Sequence, residues 1–307
     1  MEVLRAKQAV ALKNLLLATD FSQVSEHALF YAAGIAQRHG SKVYVVHVIP
    51  HERPLPGYPF PAVPDRSRSE AEADLDSVAH WEPLEHIPHE LLLEEGPIWQ
   101  ALSRIIEDKE IDLLVVGTHG RGGFKKIVIG SVAEELFRLA PCPVLTVGPE
   151  VRAKVESAGE IRRILFTTDF GTASLNALPY AIALANESQA QLTLLHVLAP
   201  MPVLDVGPYW YVGTDVIERQ EKNRANCIEQ LRQLIPSRSE PVRDLQFLVG
   251  FGFVPDVIVK TAAEQQASLI VLGVNQVALV RVSAHVPWAI AHEVVCHAKC
   301  PVLTIKG

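Results

Sequence analysis

Four small residues at fixed spacing carry the strongest chemical signal in this chain. They read Gly117-x₂-Gly120-x₉-Gly130-Ser131, within a run from Gly117 to Ser131 that also holds Gly122, Gly123, Arg121, Lys125 and Lys126. Glycine tolerates positive φ and lets backbone N–H groups come close to an anion. Gly130-Ser131 leads into a helical pattern, whose free amides and positive dipole end favour phosphate. Ser131 adds a hydroxyl, and Arg121, Lys125 or Lys126 can supply positive charge. The run is not a Walker A loop, because no Gly-Lys-Ser/Thr follows at the required distance. Nor is it the Gly-x-Gly-x-x-Gly dinucleotide signature, since Gly120-x-Gly122 meets Lys125 at the third place. From the residues alone, two readings stand: a phosphate cradle and a flexible connecting loop.

The elements that must position this run appear twice. Residues 13–21, KNLLLATDF, are answered by residues 162–170, RRILFTTDF. The stretch Lys42 to Val48 is answered by Gln191 to Val197, Ile111 to Gly117 by Ala267 to Gly273, and Cys142 to Val147 by Cys300 to Ile305. Four anchors in the same order make the chain two copies of one unit. Domains are therefore expected over residues 1–150 and 161–307, joined by a polar linker at 151–160. Pro-rich stretches after the second strand of each copy, His51 to Asp65 and Pro200 to Thr214, read as loops.

Within a copy, short continuous Val/Ile/Leu runs suit strands buried on both faces. Amphipathic segments lie between them, such as Gln23 to Arg38, which Gly40 closes, and Ile98 to Asp108, which Pro97 opens. Strand–helix alternation of this kind predicts an α/β fold: two Rossmann-like domains, each a five-stranded parallel sheet flanked by helices. With strand order 3-2-1-4-5, the order reverses between strands 1 and 4, where ligands of such sheets lie. Asp20 ends the first strand and Gly117 the fourth, so the two are expected to face one another.

These motifs together resemble the universal stress protein family, over essentially the whole chain and twice. The glycine spacing matches that family's ATP-binding pattern, and Thr19-Asp20-Phe21-Ser22, His47-Val48 and Pro143 to Val147 look like its other landmarks. The resemblance implies an adenine nucleotide alpha hydrolase-like fold and ATP as ligand, with or without Mg²⁺ or Mn²⁺. It implies that Asp20 and the backbone of Val48 contact adenosine. Gly117, Gly120, Gly130 and Ser131 would hold ribose and phosphates, with Arg121 as a charge near them. It also implies that the last strands, Val144 to Val147 and Val302 to Ile305, pair within this chain as a pseudo-two-fold dimer. Further association into a homo-oligomer is left open.

The second copy departs from the pattern. Gly273 persists, but Gln276, Val286 and Pro287 stand where Gly120, Gly130 and Ser131 stand in the first. Pro287 also removes a backbone N–H. No ATP is expected there; Tyr209, Trp210 and Tyr211 are candidates to line an apolar pocket instead.

Other residues have plainer readings. Asp20 and Asp169 can cap the helices that follow them, which is compatible with a nucleotide role. His47 and His196 end matched strands in both copies and read as structural. His292, Cys296 and Cys300 have metal-ligand spacing on a continuous helix, but Cys300 matches Cys142, where no histidine cluster exists, so buried thiols are expected.

Composition narrows the classes. A formal charge of −7 does not favour nucleic acid or an anionic membrane. No apolar run reaches membrane-spanning length, and the first twenty residues lack a signal-peptide pattern. Four cysteines do not make a disulfide framework, so a cytoplasmic protein is expected. No nucleophile elbow or paired-carboxylate signature is present. The sequence favours a nucleotide-dependent stress-response or regulatory binding module, with slow ATP hydrolysis or a nucleotide-independent scaffold as alternatives.

Overall fold

A computed structural model describes residues 12–50, 67–118, 131–151, 159–199, 214–235, 242–274 and 287–307. The N-terminal half runs β1 (Asn14–Ala18), α1 (Gln23–His39), β2 (Lys42–Ile49), α2 (Arg68–Ala79), β3 (His89–Glu95), α3 (Ile98–Asp108), β4 (Leu113–Gly117), α4 (Ser131–Leu139) and β5 (Val144–Val147). The C-terminal half repeats it as β6 (Arg163–Thr167), α5 (Thr172–Ser188), β7 (Gln191–Leu198), α6 (Thr214–Gln233), β8 (Leu245–Phe251), α7 (Val254–Glu264), β9 (Leu269–Val274), α8 (Pro287–His297) and β10 (Val302–Lys306).

Local chemistry explains several boundaries. Ser22 caps α1 by accepting from the Ser25 amide, and Gly40 closes it at φ 65°, a conformation that costs glycine little. Ser67 and Glu70 form a reciprocal capping box at the start of α2. Pro97 supplies the extended residue before α3, where a missing N–H costs nothing.

All ten strands join one sheet, in the order β3-β2-β1-β4-β5-β10-β9-β6-β7-β8. Each half is the 3-2-1-4-5 parallel arrangement. The two meet through β5 and β10, which pair antiparallel with Leu145 opposite Leu303. Both leucines are buried, each contributing about 1.5–3 kcal/mol. The pairing also hides two strand edges that would otherwise offer unpaired backbone groups. The result is a pseudo-two-fold dimer within one chain.

Alternating strand residues feed two core layers. Leu15, Leu17, Val43 and Val45 pack toward Leu29 and Ala32 of α1 and Leu75 of α2. Leu16, Val46 and Leu114 pack toward Leu102 and Ile106 of α3 and Leu136 of α4.

The linker differs from its sequence reading at both ends. Val151 is buried in the core, and its amide donates to the Gly148 carbonyl. Gly159, at φ 80°, lies so close to α1 that a Cβ there would sit 2.8 Å from the Gly34 Cα. Composition marked the segment as polar, but two small or apolar residues are enough to dock its ends. A small apolar cavity of about 40 Å³ lies at this junction, with Tyr31 and Tyr180 among its walls.

Candidate functional site

The sheet register brings three of the expected site residues together. Ala18 of β1 lies opposite both Val46 of β2 and Val116 of β4. Asp20, Val48 and Gly117 follow these positions by one or two residues, so they converge at the carboxyl ends of three adjacent strands. Gly120, Arg121 and Gly130 lie outside the described residues. Ser131 opens α4, so the glycine run connects the end of β4 to the start of a helix.

Asp20 sits in a tightly bonded corner. Its Oδ1 accepts from the Ser22 amide at 3.0 Å and from the Ser25 hydroxyl at 2.5 Å. Thr19 Oγ1 accepts from the Phe21 amide at 3.0 Å. Phe21 is held at φ 61°, a left-handed conformation that is rare for a bulky residue. Its ring lies against His47, with centroids 4.6 Å apart, and His47 Nδ1 is 2.8 Å from the Thr19 carbonyl. The aspartate is therefore not the helix cap; Ser22 is. Asp20 braces the turn one step earlier, through Oδ1.

The same corner stands in the C-terminal half. Asp169 Oδ1 accepts from the Gly171 amide at 2.8 Å and from Ser174 Oγ at 2.7 Å. Thr168 Oγ1 accepts from the Phe170 amide at 2.9 Å, and Phe170 has φ 62°. The Phe170 and His196 rings are 4.6 Å apart, and His196 Nδ1 is 2.8 Å from the Thr168 carbonyl. Asp169 likewise is not the cap, which is Gly171 with no side-chain bond.

Gly117 and Gly273 also have a packing cause. A Cβ on Gly117 would lie 3.0 Å from the Ser25 amide nitrogen at the start of α1. On Gly273 it would lie 2.3 Å from the Ala173 carbonyl and the Ser174 amide at the start of α5. Close helix approach thus requires glycine in both halves, whatever else these residues do. Ser25 and Ser174, which orient the aspartates, are absent from the sequence reading. Their signal was available, because each follows its aspartate by five residues in both copies.

The halves part company beyond the fourth strand. Where Ser131 opens α4, Pro287 opens α8, so one amide donor is missing at that helix start. Gln276, Val286 and the aromatic triplet Tyr209, Trp210 and Tyr211 lie outside the described residues. The C-terminal half instead shows Phe251, the last residue of β8, and Phe253 just past it about half exposed, which sequence reasoning missed. Helix α8 ends at His297, so Cys300 lies past it on the way into β10 rather than on one helical face with His292 and Cys296. Burial pushes the Cys300 thiol up to about 12 and that of Cys142 to about 11, so neither is a ready thiolate.

The fold defines the class: a tandem α/β protein with the same strand-end corner in each half. Comparison with known proteins narrows this further. The universal stress protein family model matches residues 11–148 and again 160–306. A universal stress protein of Methanocaldococcus jannaschii is 31% identical over 149 residues, covering 44% of this chain and 81% of that protein. One from Thermus aquaticus is 34% identical over 142 residues, covering 44% of this chain and 98% of that protein. The crystal structure of a universal stress protein from Archaeoglobus fulgidus matches 97% of both chains, with TM-score 0.63 and 21% identity. The chain belongs to the universal stress protein family. Among the described residues, no helix is long and apolar enough to cross a membrane.

Proposed function

We propose that the N-terminal half binds ATP and that the chain acts in the cytoplasm as a nucleotide-dependent stress-response or regulatory module. The observation that carries this reading is the glycine pattern in its setting. Gly117 ends β4, Ser131 begins α4, and the two remaining glycines of the spacing fall between them. A strand end feeding a glycine-rich loop into a helix N-terminus is the arrangement in which backbone amides hold phosphates. Asp20 Oδ2 and the Val48 backbone, at the neighbouring strand ends, are the groups for adenosine. Arg121 supplies charge for the phosphates, and a divalent cation travels with the nucleotide.

Each residue then has a defined task. Ser25 and the Ser22 amide fix the Asp20 carboxylate, so its second oxygen accepts from ribose hydroxyls without reorganising. The first-turn amides of α4 meet phosphate oxygens, with the helix dipole reinforcing them.

Equilibrium ATP binding to the parent chain and to Gly130→Val tests the reading. A branched Cβ at Gly130 is expected to lower affinity at least tenfold. Equal affinity in both proteins would remove the assigned cradle. Mass spectrometry of the small molecule released from freshly purified protein on denaturation is expected to show adenine nucleotide.

A nucleotide-independent scaffold is the second reading. It is favoured by the corner itself, since Thr-Asp-Phe, Ser and Gly are explained by packing in both halves. Parent protein that carries no nucleotide and binds none would select it.

A further inference from the structure

The ten-stranded sheet ends at β3 on one side and at β8 on the other. An edge strand turns every second N–H and C=O outward, where they form a template for another strand. At β8 the Asp244 carbonyl accepts from the Leu192 amide, and the Gly252 amide donates to the Leu198 carbonyl. Even-numbered residues therefore face β7, and Leu245, Phe247, Val249 and Phe251 turn their backbone groups outward. Among the described residues, none of these outward groups has a hydrogen-bond partner.

The two edges are protected differently. β3 carries Glu90, paired with Lys42 and Lys109, Glu94, paired with Arg104, and Glu95, paired with Arg68. Laid antiparallel on its own copy about Leu92, it would set Glu90 opposite Glu94 of that copy, and like charges across a ladder repel. β8 has no such guard, because no residue from Leu245 to Pro255 is charged. At its end, Phe251 is 49% exposed and Phe253 55%.

The chain itself shows what uncharged edges do. β5 and β10 pair antiparallel, with Val144, Leu145 and Thr146 against Thr304, Leu303 and Val302, and so join two like halves. β8 is the remaining edge of that kind, and it is self-complementary. Two copies laid antiparallel about Leu248 bring Phe247 opposite Val249 and Leu245 opposite Phe251. All four outward residues then exchange N–H and C=O with the other copy. The Phe251 ring lies beside Leu245 of the second copy, as directly opposed side chains do. The flanking Arg243 and Asp244 fall opposite the uncharged Phe253 and Gly252. No like charges meet.

We propose that β8 is a dimerisation edge, at which a second copy of this chain pairs antiparallel about a two-fold axis through Leu248. The sheet then continues from one molecule into the next. Such a dimer leaves only β3 edges, which resist one another, so association closes at two chains. A single strand pair with its flanking rings makes a small, reversible interface. It needs no nucleotide and stands apart from the ATP reading.

Sedimentation velocity of the full chain without nucleotide tests it, over a dilution series from about 100 µM to about 1 µM. The parent is expected to be dimeric at the top of the series and to dissociate on dilution. Phe251→Lys charges an exposed position and is expected to be monomeric throughout while still unfolding cooperatively. Glu95→Lys, on the other edge, is expected to match the parent. Cross-linking reads the register. Opposed residues whose backbone turns away from the seam lie about 4.5 Å apart between Cα atoms, within disulfide reach. Leu248→Cys should therefore give a disulfide-linked dimer under mild oxidation, and Gln246→Cys should give none beyond the parent's background. A parent chain monomeric throughout overturns the proposal and leaves the edge to a strand of a different protein. A dimer that survives Phe251→Lys or is broken by Glu95→Lys overturns it too. So does a cross-link at Gln246→Cys, or none at a folded Leu248→Cys.

Discussion

The two halves share a corner and differ at a loop. In each, a threonine, an aspartate, a left-handed phenylalanine, a serine and a strand-end histidine make the same set of bonds at the end of the first strand. In each, a glycine at the end of the fourth strand lets the first helix come close. Only the N-terminal half continues into a glycine-rich run ending at Ser131; the other continues into Gln276, Val286 and Pro287. Residues that look like ligand contacts in one half therefore have a structural task in both. The difference between the halves lies in the loop, not the corner.

The largest effect should come from testing the shared glycine. Gly273→Ala places a Cβ 2.3 Å from helix backbone, against 3.0 Å for Gly117→Ala. Backbone cannot rotate away as a side chain can, so Gly273→Ala should cost about 3 kcal/mol and Gly117→Ala about 1 kcal/mol. Denaturant unfolding of both variants checks this. Equal small losses would show that the close approach is not the reason for glycine.

Next come the aspartates. Asp20→Ala and Asp169→Ala each remove an acceptor of two hydrogen bonds and should each destabilise by about 1–2 kcal/mol. Thermal unfolding reads the shared loss. Nucleotide affinity separates the halves: it should fall in Asp20→Ala and hold in Asp169→Ala. A stability loss confined to one variant would break the equivalence of the corners.

The junction between halves should respond to alkali. Burial lifts Cys300 from 9.0 to about 12 and Cys142 from 9.0 to about 11. Burial, with the nearby Cys300 thiol adding, lifts Tyr31 from 10.0 to about 12. The folded state thus holds these protons more tightly than the unfolded chain does. Their contribution is complete below about pH 9 and is lost as pH rises through 11 to 12. The melting temperature should fall over that window, and less steeply in Cys300→Ala/Tyr31→Phe. An unchanged slope in the double variant would place the alkaline loss elsewhere.

The smallest contrast lies across the β5–β10 seam. Thr304 Oγ1 donates to the Val144 carbonyl at 3.3 Å, whereas the buried Thr146 Oγ1 has no hydrogen-bond partner among the described residues. Thr146→Val should stabilise by about 0.5–1 kcal/mol, while Thr304→Val should cost a similar amount. Opposite signs in chemical unfolding sharpen the asymmetry, and equal signs remove it.

Much of this protein was readable one residue at a time. The repeated Val/Ile/Leu runs announce buried parallel strands, because a strand covered on both faces has no polar side to show. Gly40 and Pro97 punctuate helices through constraints on φ and on backbone donors. The Gly117-x₂-Gly120-x₉-Gly130-Ser131 spacing, and its loss in the second half, also need nothing beyond the order of residues.

Other features depend on contacts between distant segments. That Asp20 braces a turn rather than caps a helix follows from Ser25 folding back onto it. That Gly117 serves helix approach follows from where α1 crosses β4. The docking of Val151 and Gly159 arises only when remote elements pack. Spacing along a chain records backbone preference and local periodicity. It does not record which side chains share a space, and tertiary packing alone decided that.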